Sequence, residues 1–486
     1  MKNNSKPLLT GAVMTTMLAL STSVSALDKP KTMEDMWKII QAQQKQIDEM
    51  KASMGAAPAK TATANVKKPE NEVDPGNVQN ADNKVAASSV KNLERKTNIL
   101  SQEVEKLRTN LAIPEEKQLK SAYGMGPAAS KVYQVGKGLS IGGYGEAFYQ
   151  DIVSDKGEAK SNADLERMVL YVGYKFTDKI LFNSELEFEH ATTGEGDELK
   201  GEVSAEFASL DFFLDPLANV RTGLVLMPMG MVNRIHEPLF YFGNHRPVVD
   251  QVIIPTTWRE IGVGLFGAIT PKLTYTAYVV NGLNAEGFSS DGIREGRGGG
   301  SQALAQNFGY VAQMNYEPSA LPGVTFGGSA YVGNSGQGLE YNGQKPNVFT
   351  QLYETHVQWR YRGLEFRTLG AWGHINDAGI LSAAKGQTIG SQNYGWYSEV
   401  GYDVLPLLFR DTPQYLAPFF RYEKYNTIAS APEGFAGDPR LNQRVFQVGL
   451  QYKPIPQVVV KADYRNFSAA QGTVPDDFNL GFGFIF

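Results

Sequence analysis

Few side chains in this sequence have the types and spacing that catalysis needs. Cysteine is absent, which removes thiol nucleophiles and thiolate metal ligands. The five histidines are His190, His236, His245, His356 and His374. None lies beside a Gly-x-Ser-x-Gly or similar nucleophile motif. The sequence therefore predicts no enzyme activity and no cofactor.

Two short motifs resemble ligand sites, and each has a plainer interpretation. Glu185, Glu187 and Glu189 alternate along one predicted strand, which His190 closes. Such a set suggests a cation site, but solvated carboxylates on a wet strand explain it more simply. The run Gly296-Arg297-Gly298-Gly299-Gly300 has the composition of a phosphate cradle. It lacks the strand–loop–helix context of one, so a flexible loop is predicted.

The elements that carry these residues show a period of two from Gly138 onward. On the last strand the large apolar set is Phe478, Leu480, Phe482, Phe484 and Phe486, and the opposite set is Asn479, Gly481 and Gly483. A strand with these two faces suits lipid outside and water inside. The alternation recurs upstream, for example at 180–189, 353–361 and 458–465.

Short turns and long loops alternate between these strands, as in outer-membrane barrels, and counting the segments gives about 16 of them. We therefore predict an all-β fold: a 16-stranded antiparallel transmembrane β-barrel over residues 138–486. The alternative is a soluble β-sandwich or propeller whose apolar face is buried against another sheet. Aromatic residues at the strand ends and charges in the middle of the other face argue against it.

Charged side chains on the inner face of such a barrel would line a pore. The predicted lining residues are Glu185, Glu187, Glu189, Asp211, Arg221, Arg360, Arg367, Arg421, Lys461 and Arg465. Acids dominate the early strands and bases are frequent elsewhere, so opposed walls of unlike charge would orient polar solutes. Taken singly, each charge is better explained by solvation or by an ion pair with a strand neighbour.

The first long loop follows the fifth predicted strand and is rich in apolar groups. Burying Leu239, Phe240 and Tyr241 against an inner wall would contribute roughly 1.5–3 kcal/mol for each side chain. The loop is therefore predicted to fold inward and to narrow the barrel. The candidates for the constriction are Arg234, His236, Glu237, His245, Arg246 and Asp250. The alternative is that the loop packs on a neighbouring subunit.

The N-terminal region is of a different kind. Residues 1–26 are predicted to be a signal peptide with basic Lys2 and Lys6, a short apolar run and the cleavage site Val24-Ser25-Ala26. Apolar spacings of three and four then predict coiled-coil helices at 27–58 and 85–113, followed by linkers at 59–84 and 114–137. An oligomeric periplasmic coiled coil is favoured over solvated amphipathic helices, because neither helix has another apolar surface to pack against.

Three stretches, residues 213–230, 244–247 and 253–264, resemble the region around the constriction loop in the phosphate-selective porin O and P family. They include Leu226-Met227-Pro228-Met229-Gly230, Asn244-His245-Arg246-Pro247 and Ile253-Ile254-Pro255-Thr256-Thr257-Trp258. The resemblance implies a trimeric 16-stranded porin, and a periplasmic coiled coil would fit that trimer. It does not imply anion specificity, because phosphate-selective members use an Arg and Lys ladder and this barrel carries an excess of acid.

These observations together predict an outer-membrane channel for passive diffusion of small hydrophilic solutes or ions, with a mild cation preference. The expected partners are outer-membrane lipid, those solutes and two further copies in a homotrimer, with a cell-wall contact through the coiled coil as a further option. A net charge of −5 argues against nucleic acid. The alternative function is a structural tether or adhesin, in which the barrel only anchors the coiled coil.

Overall fold

The computed structural model describes residues 119–153, 160–191, 201–409 and 412–486. The predicted signal peptide, both predicted coiled-coil helices and the linker between them lie outside these residues. The described part contains 16 strands. Their bounds are β1 Gly138–Ile152, β2 Lys160–Lys175, β3 Ile180–Glu189, β4 Val203–Asp215, β5 Ala218–Leu226, β6 Arg259–Thr270, β7 Leu273–Asn281, β8 Phe308–Tyr316, β9 Val324–Asn334, β10 Phe349–Tyr361, β11 Leu364–Ile375, β12 Gln392–Tyr402, β13 Tyr415–Ser430, β14 Asn442–Ile455, β15 Val458–Ala469 and β16 Asp477–Ile485.

These strands form one closed antiparallel sheet in which each strand pairs with its sequence neighbours. Closure is made by β1, which pairs with β2 on one side and with β16 on the other. Tyr144, for example, lies opposite both Val169 and Ile485. The 16-stranded antiparallel barrel predicted from the alternating pattern is confirmed.

The two faces of the barrel differ as the alternation predicts. On β16, Phe478, Leu480 and Phe482 are 40–50% exposed, whereas Asp477 and Asn479 are buried. The same contrast holds on β8, where Phe308 and Tyr310 are exposed. A closed sheet has one convex and one concave face, so the exposed apolar groups cover its outside and the buried polar groups point into its bore.

The helices are short and lie between or before strands. They are α1 Lys131–Gln134, α2 Val249–Val252, α3 Ala378–Lys385 and α4 Leu405–Leu408, with 3₁₀ turns at Ala285–Gly287, Arg294–Gly296 and Pro439–Leu441. Among the residues that the structure describes, no helix combines the length and the apolar character needed to cross a membrane.

The two ends of the barrel are unlike. One end carries short connections, such as residues 176–179 and 362–363, and the other carries long ones, such as 227–258, 282–307 and 376–391. Strand β1 begins at the short-turn end, since Gly138 pairs with Lys175 beside the first short turn. Residues 119–137, here called the pre-barrel segment, therefore approach the barrel from its short-turn end.

Candidate functional site: the bore and its two inner segments

The connection between β5 and β6, residues 227–258 and here called the long loop, contacts inward-facing side chains around the barrel. His236 Nε2 lies 3.1 Å from Glu185 Oε1 on β3. The backbone N–H and the side-chain amide of Asn244 donate to Asp463 Oδ2 on β15 at 2.8 and 2.7 Å. Three strands separate β3 from β15 around the closed sheet, so one loop bonds to inner faces about a quarter of the barrel apart.

Apolar groups hold the other part of the long loop. Met227, Met229, Val249, Ile254 and Trp258 are at most 1% exposed and belong to one buried cluster. Inward-facing residues of the wall join it, including Tyr331, Leu369 and Tyr397, and so do Leu283, Phe288 and Leu381 from other long connections. Burial of each large side chain contributes roughly 1.5–3 kcal/mol. The long-loop end of the barrel thus has an apolar core on part of its inner wall.

Three of the predicted constriction residues lie in the first part of the long loop. Arg234 donates to Gln313 and to Thr276, a neutral pair of acceptors on β8 and β7. His236 lies against Glu185, and burial lowers the pKa of its imidazole to about 3. Glu237 is 1% exposed, and burial raises the pKa of its carboxyl to about 8.

The other three lie further along the loop. His245 Nε2 is 3.1 Å from Asn479 Oδ1 on β16. Arg246 is 8% exposed, and its Nε and Nη2 have no hydrogen-bond partner among the described residues. Asp250 is fully buried, and burial raises the pKa of its carboxyl to about 8. The six candidates are thus spread along the loop and do not converge on one point.

Most of the predicted lining residues occur as ion pairs between neighbouring strands. Asp211 and Arg221 form a bidentate pair, with N···O distances of 2.7 and 2.8 Å. Glu399 bridges Arg367 at 2.6 Å and Arg421 at 2.7 Å. The expectation of opposed walls of unlike charge therefore differs from the structure, because cross-strand neighbours neutralise much of each wall locally.

The remaining lining candidates follow the same pattern with exceptions. Arg465 pairs with Asp477, and Arg360 lies 3.7 Å from Glu365. Lys461 instead donates to the backbone oxygens of Tyr241 and Gly243 in the long loop. Glu187 lies 3.6 Å from Arg167, whereas Glu189 is only partly buried. No group of three or more histidines and carboxylates within the described ranges is arranged to hold a metal ion.

Sequence reasoning missed several inner residues that contact the predicted ones. Glu146 on β1 accepts from the Tyr241 hydroxyl at 2.7 Å and lies 3.1 Å from Arg167. Glu260 accepts from the backbone N–H of Gly298, so the glycine run at 296–300 meets a carboxylate of its own chain. Both acids have the inward parity of their strands, but only the three-dimensional structure shows their partners.

The pre-barrel segment is the largest departure from expectation. The sequence predicts a linker at 114–137, but from residue 119 onward this stretch packs against the inner wall. Met125, Ala128, Ala129, Ser130 and Val132 are each at most 3% exposed. The available signals were the small residues at 124–130 and the aromatic residues Tyr123 and Tyr133, which a solvated spacer does not need.

Beside the pre-barrel segment, the short-turn end contains an open cavity of about 1010 Å³. Leu119, Gly124 and Phe240 line it on the side of the two inner segments, and Gln313, Asn315 and Gln358 line it on the side of β8 and β10. Its wall combines basic, acidic, amide and apolar groups. A hydrophilic solute entering from this end would meet these side chains first.

No family model matches the chain. Solved structures with a similar fold include the anion-selective porin of Comamonas acidovorans, which is 8% identical with a TM-score of 0.47 over 72% of this chain and 99% of that chain. The outer membrane channel DcaP of Acinetobacter baumannii is 11% identical, with a TM-score of 0.44 over 72% and 97%. Identities this low do not carry the properties of those proteins over to this chain.

One relative is far closer in sequence. It is an uncharacterised protein of Aquifex aeolicus (strain VF5), 38% identical over 354 residues, which are 70% of this chain and 78% of the relative. The aligned length is too long to be explained by one shared segment or by strand composition alone. The chain therefore belongs to the same protein family as this Aquifex aeolicus protein.

Proposed function

We propose that the chain is an outer-membrane porin that lets small hydrophilic solutes or ions diffuse passively through its barrel. The observation that carries this proposal is the contrast between the two faces of one closed sheet. The outer face presents exposed apolar side chains, and the inner face carries ionised pairs. An apolar exterior is stable in hydrocarbon, and a closed sheet leaves no unpaired edge there.

The long loop is proposed to narrow the bore. Its bonds to β3 and β15 support this position, and the six charged or titratable residues proposed for the constriction lie along it. Selectivity would then come from size and from the charges left exposed beside the ion pairs. We propose a mild cation preference, since the barrel region carries an excess of acid.

The location and assembly follow from the same proposal. Residues 1–26 would direct export, and the barrel would insert in the bacterial outer membrane with the N-terminal region in the periplasm. The heptads at 27–58 and 85–113 would hold three copies together or contact the cell wall. Crosslinking of residues 27–113 tests this part, and a purely monomeric peptide would count against it. Kinship with the phosphate-selective porin O and P family remains a proposal resting on residues 213–264.

A second function is favoured by one specific observation. The pre-barrel segment and an apolar cluster around the long loop pack inside the barrel against its wall, which would suit a barrel that serves only as an anchor. In this alternative the protein is a tether or adhesin that acts through its N-terminal helices. Both functions need the same lipid-facing exterior, so only transport separates them.

Recordings of the purified mature chain in planar lipid bilayers decide between the two functions. The porin predicts discrete conductance steps, and in a salt gradient it predicts a reversal potential of mild cation preference. A protein that inserts, as shown by protease protection, and yet conducts no current would favour the tether. A strongly anion-selective reversal potential would overturn the proposed ion preference.

A further inference from the structure

The pre-barrel segment packs closely against the first three strands. Glycines on these strands make the close approach possible. A Cβ atom at Gly173 on β2 would lie 2.5 Å from Val132 Cγ2, and one at Gly142 on β1 would lie 2.7 Å from the Ala128 carbonyl oxygen. Any larger residue at these two positions would displace the segment. On β3, the Asn183 side chain donates to the Ala129 carbonyl oxygen at 2.9 Å.

A second contact fixes the other side of the segment. The Tyr133 hydroxyl donates to Asp211 Oδ2 at 2.9 Å and accepts from Arg221 Nη2 at 3.0 Å. Its ring packs edge-on against Tyr123, with centroids 4.9 Å apart. Phe213 completes this aromatic group near the turn between β4 and β5. The segment therefore spans the inner wall from β1 to β5.

The long loop closes over the segment from the other end of the barrel. Glu237 Oε1 accepts from the backbone N–H of Ala128 at 2.9 Å. Gly126 lies directly against the Glu237 side chain, and Gly124 lies against the Arg234 guanidinium, so a Cβ at either glycine would push on a side chain of the long loop. The segment is thus bonded to both the wall and the proposed constriction.

The open cavity at the short-turn end lies across the barrel from the wall that the pre-barrel segment covers. Leu119, Lys120 and Gly124 form one wall of this cavity, and residues of β8 and β10 form the other. The pre-barrel segment and the cavity thus lie on different sides of the short-turn mouth. The segment lies beside β1 to β5, where it buries apolar and aromatic groups.

We propose that the pre-barrel segment is a plug that limits passage through the short-turn mouth, and that its withdrawal enlarges the pore. This inference rests on the proposed porin function. It also gives the N-terminal region a mechanical role. The plug continues directly into that region in the sequence, so a pulling force or a bound partner there would act on the plug. The contact with Glu237 would pass the displacement on to the long loop.

The test compares two glycine substitutions in the full mature chain. Gly173→Val places a side chain where Val132 now lies. Gly370→Val on β11 is the matched control, since a Cβ there meets only Trp396 Cβ, at 3.9 Å. Conductance of Gly173→Val in planar bilayers should rise about twofold, because the part of the mouth beside β1 to β5 is vacated. Gly370→Val should match the wild type.

Thiol labelling reports the position of the plug independently of current. The chain has no cysteine, so Val132→Cys introduces a single thiol at a position that is 1% exposed. A bulky membrane-impermeant maleimide should react slowly with it, and at least about tenfold faster when Gly173→Val is added, as reactivity follows exposure. Lys137→Cys, at an exposed position, should react fast with and without Gly173→Val.

A further variant acts from the side of the plug and leaves every strand unchanged. Val132→Asp puts a carboxylate into an apolar contact and should displace the plug as Gly173→Val does. Suppose that both variants conduct like the wild type while Val132→Cys is labelled fast in the Gly173→Val background. This result would overturn the plug and leave the channel standing. Silence of the wild type with steps in Gly173→Val would support a fully closing plug. Silence of every inserted variant would overturn both proposals.

Discussion

The Glu237 carboxyl group accepts a hydrogen bond of 2.9 Å from the backbone N–H of Ala128, a residue 109 positions earlier in the chain. The same oxygen lies 3.4 Å from the Ala129 nitrogen. Through this one carboxyl group, the long loop satisfies backbone donors of the pre-barrel segment that would otherwise be buried unpaired.

Replacing Glu237 tests how much this contact contributes. Glu237→Ala leaves buried donors without an acceptor, which should cost about 1–3 kcal/mol in the free energy of unfolding. Glu237→Gln keeps a carbonyl acceptor in place and should cost much less. Urea unfolding in detergent, followed by tryptophan fluorescence, measures both variants. Equal losses for Ala and Gln would show that the hydrogen bonds contribute little.

The bidentate pair of Asp211 and Arg221 should be important for stability. Both groups are at most 3% exposed, so Arg221→Ala leaves an unpaired buried carboxylate and should cost about 3–5 kcal/mol. The matched control is Arg440→Ala, which breaks a pair with Asp438 of similar distance, 2.7 Å, at the surface. That variant should unfold at the same urea concentration as the wild type.

The two arginine variants therefore show whether the stability that an ion pair contributes depends on its burial or on its geometry. If both leave the urea midpoint unchanged, the Asp211–Arg221 pair is solvated in the folded protein. If both lower it equally, an ion pair of this geometry stabilises the barrel whatever its exposure. Either result would contradict the account of a buried, pre-formed inner wall on β4 and β5.

The sequence predicted the barrel well because its signal is local. Phe478, Leu480 and Phe482 alternate with Asn479 within one strand, and this parity alone assigns the lipid side and the inner side. The strand count follows from the turns between such stretches. Both properties depend only on neighbours a few residues apart, so tertiary context has little opportunity to override them.

The interior was predicted less well, since its partners are far apart in the chain. Parity placed Asp211 and Arg221 on the inner face, but their pairing depends on the register of β4 against β5. The contact between Val132 and Gly173 joins a stretch without strand periodicity to a residue of the barrel wall. No local pattern distinguishes such a stretch from a spacer, so its packing against the wall could not be predicted from the sequence.

Asp250 should give the protein an unusual dependence on pH. Burial raises the pKa of its carboxyl to about 8, from about 3.9 in an unfolded chain. Between these values the folded state retains a proton that the unfolded state releases. Stability therefore falls as pH rises from about 4 to about 8, by up to about 1.4 kcal/mol per pH unit for one proton.

The comparison of wild type with Asp250→Asn isolates this effect. The groups that act on Asp250 are Tyr397, Glu423, Glu354 and Glu399. The variant cannot ionise, so its stability relative to the wild type should increase from pH 5 to pH 8 and then stay constant. Urea midpoints measured across this range test the sign. A difference between the two proteins that stays constant from pH 5 to pH 8 would mean that Asp250 is ionised in the folded protein across this range.

Arg246 is proposed to influence ion selectivity from the long loop. It is buried, and two of its guanidinium nitrogens lack hydrogen-bond partners among the described residues. Arg246→Gln removes one positive charge from the proposed constriction and should shift the reversal potential toward stronger cation preference. Arg440→Gln, which removes an exposed charge from a loop, is the control and should leave the potential unchanged. Equal potentials in all three proteins would remove Arg246 from the constriction.

Solute entry into liposomes is the most direct test of the central claim, passive diffusion through a hydrated bore. Liposomes that contain the purified mature protein should swell in solutions of small uncharged sugars, at rates that fall steadily as the sugar becomes larger. Swelling no faster than that of protein-free liposomes, even for the smallest sugar and with insertion verified by protease protection, would contradict the account.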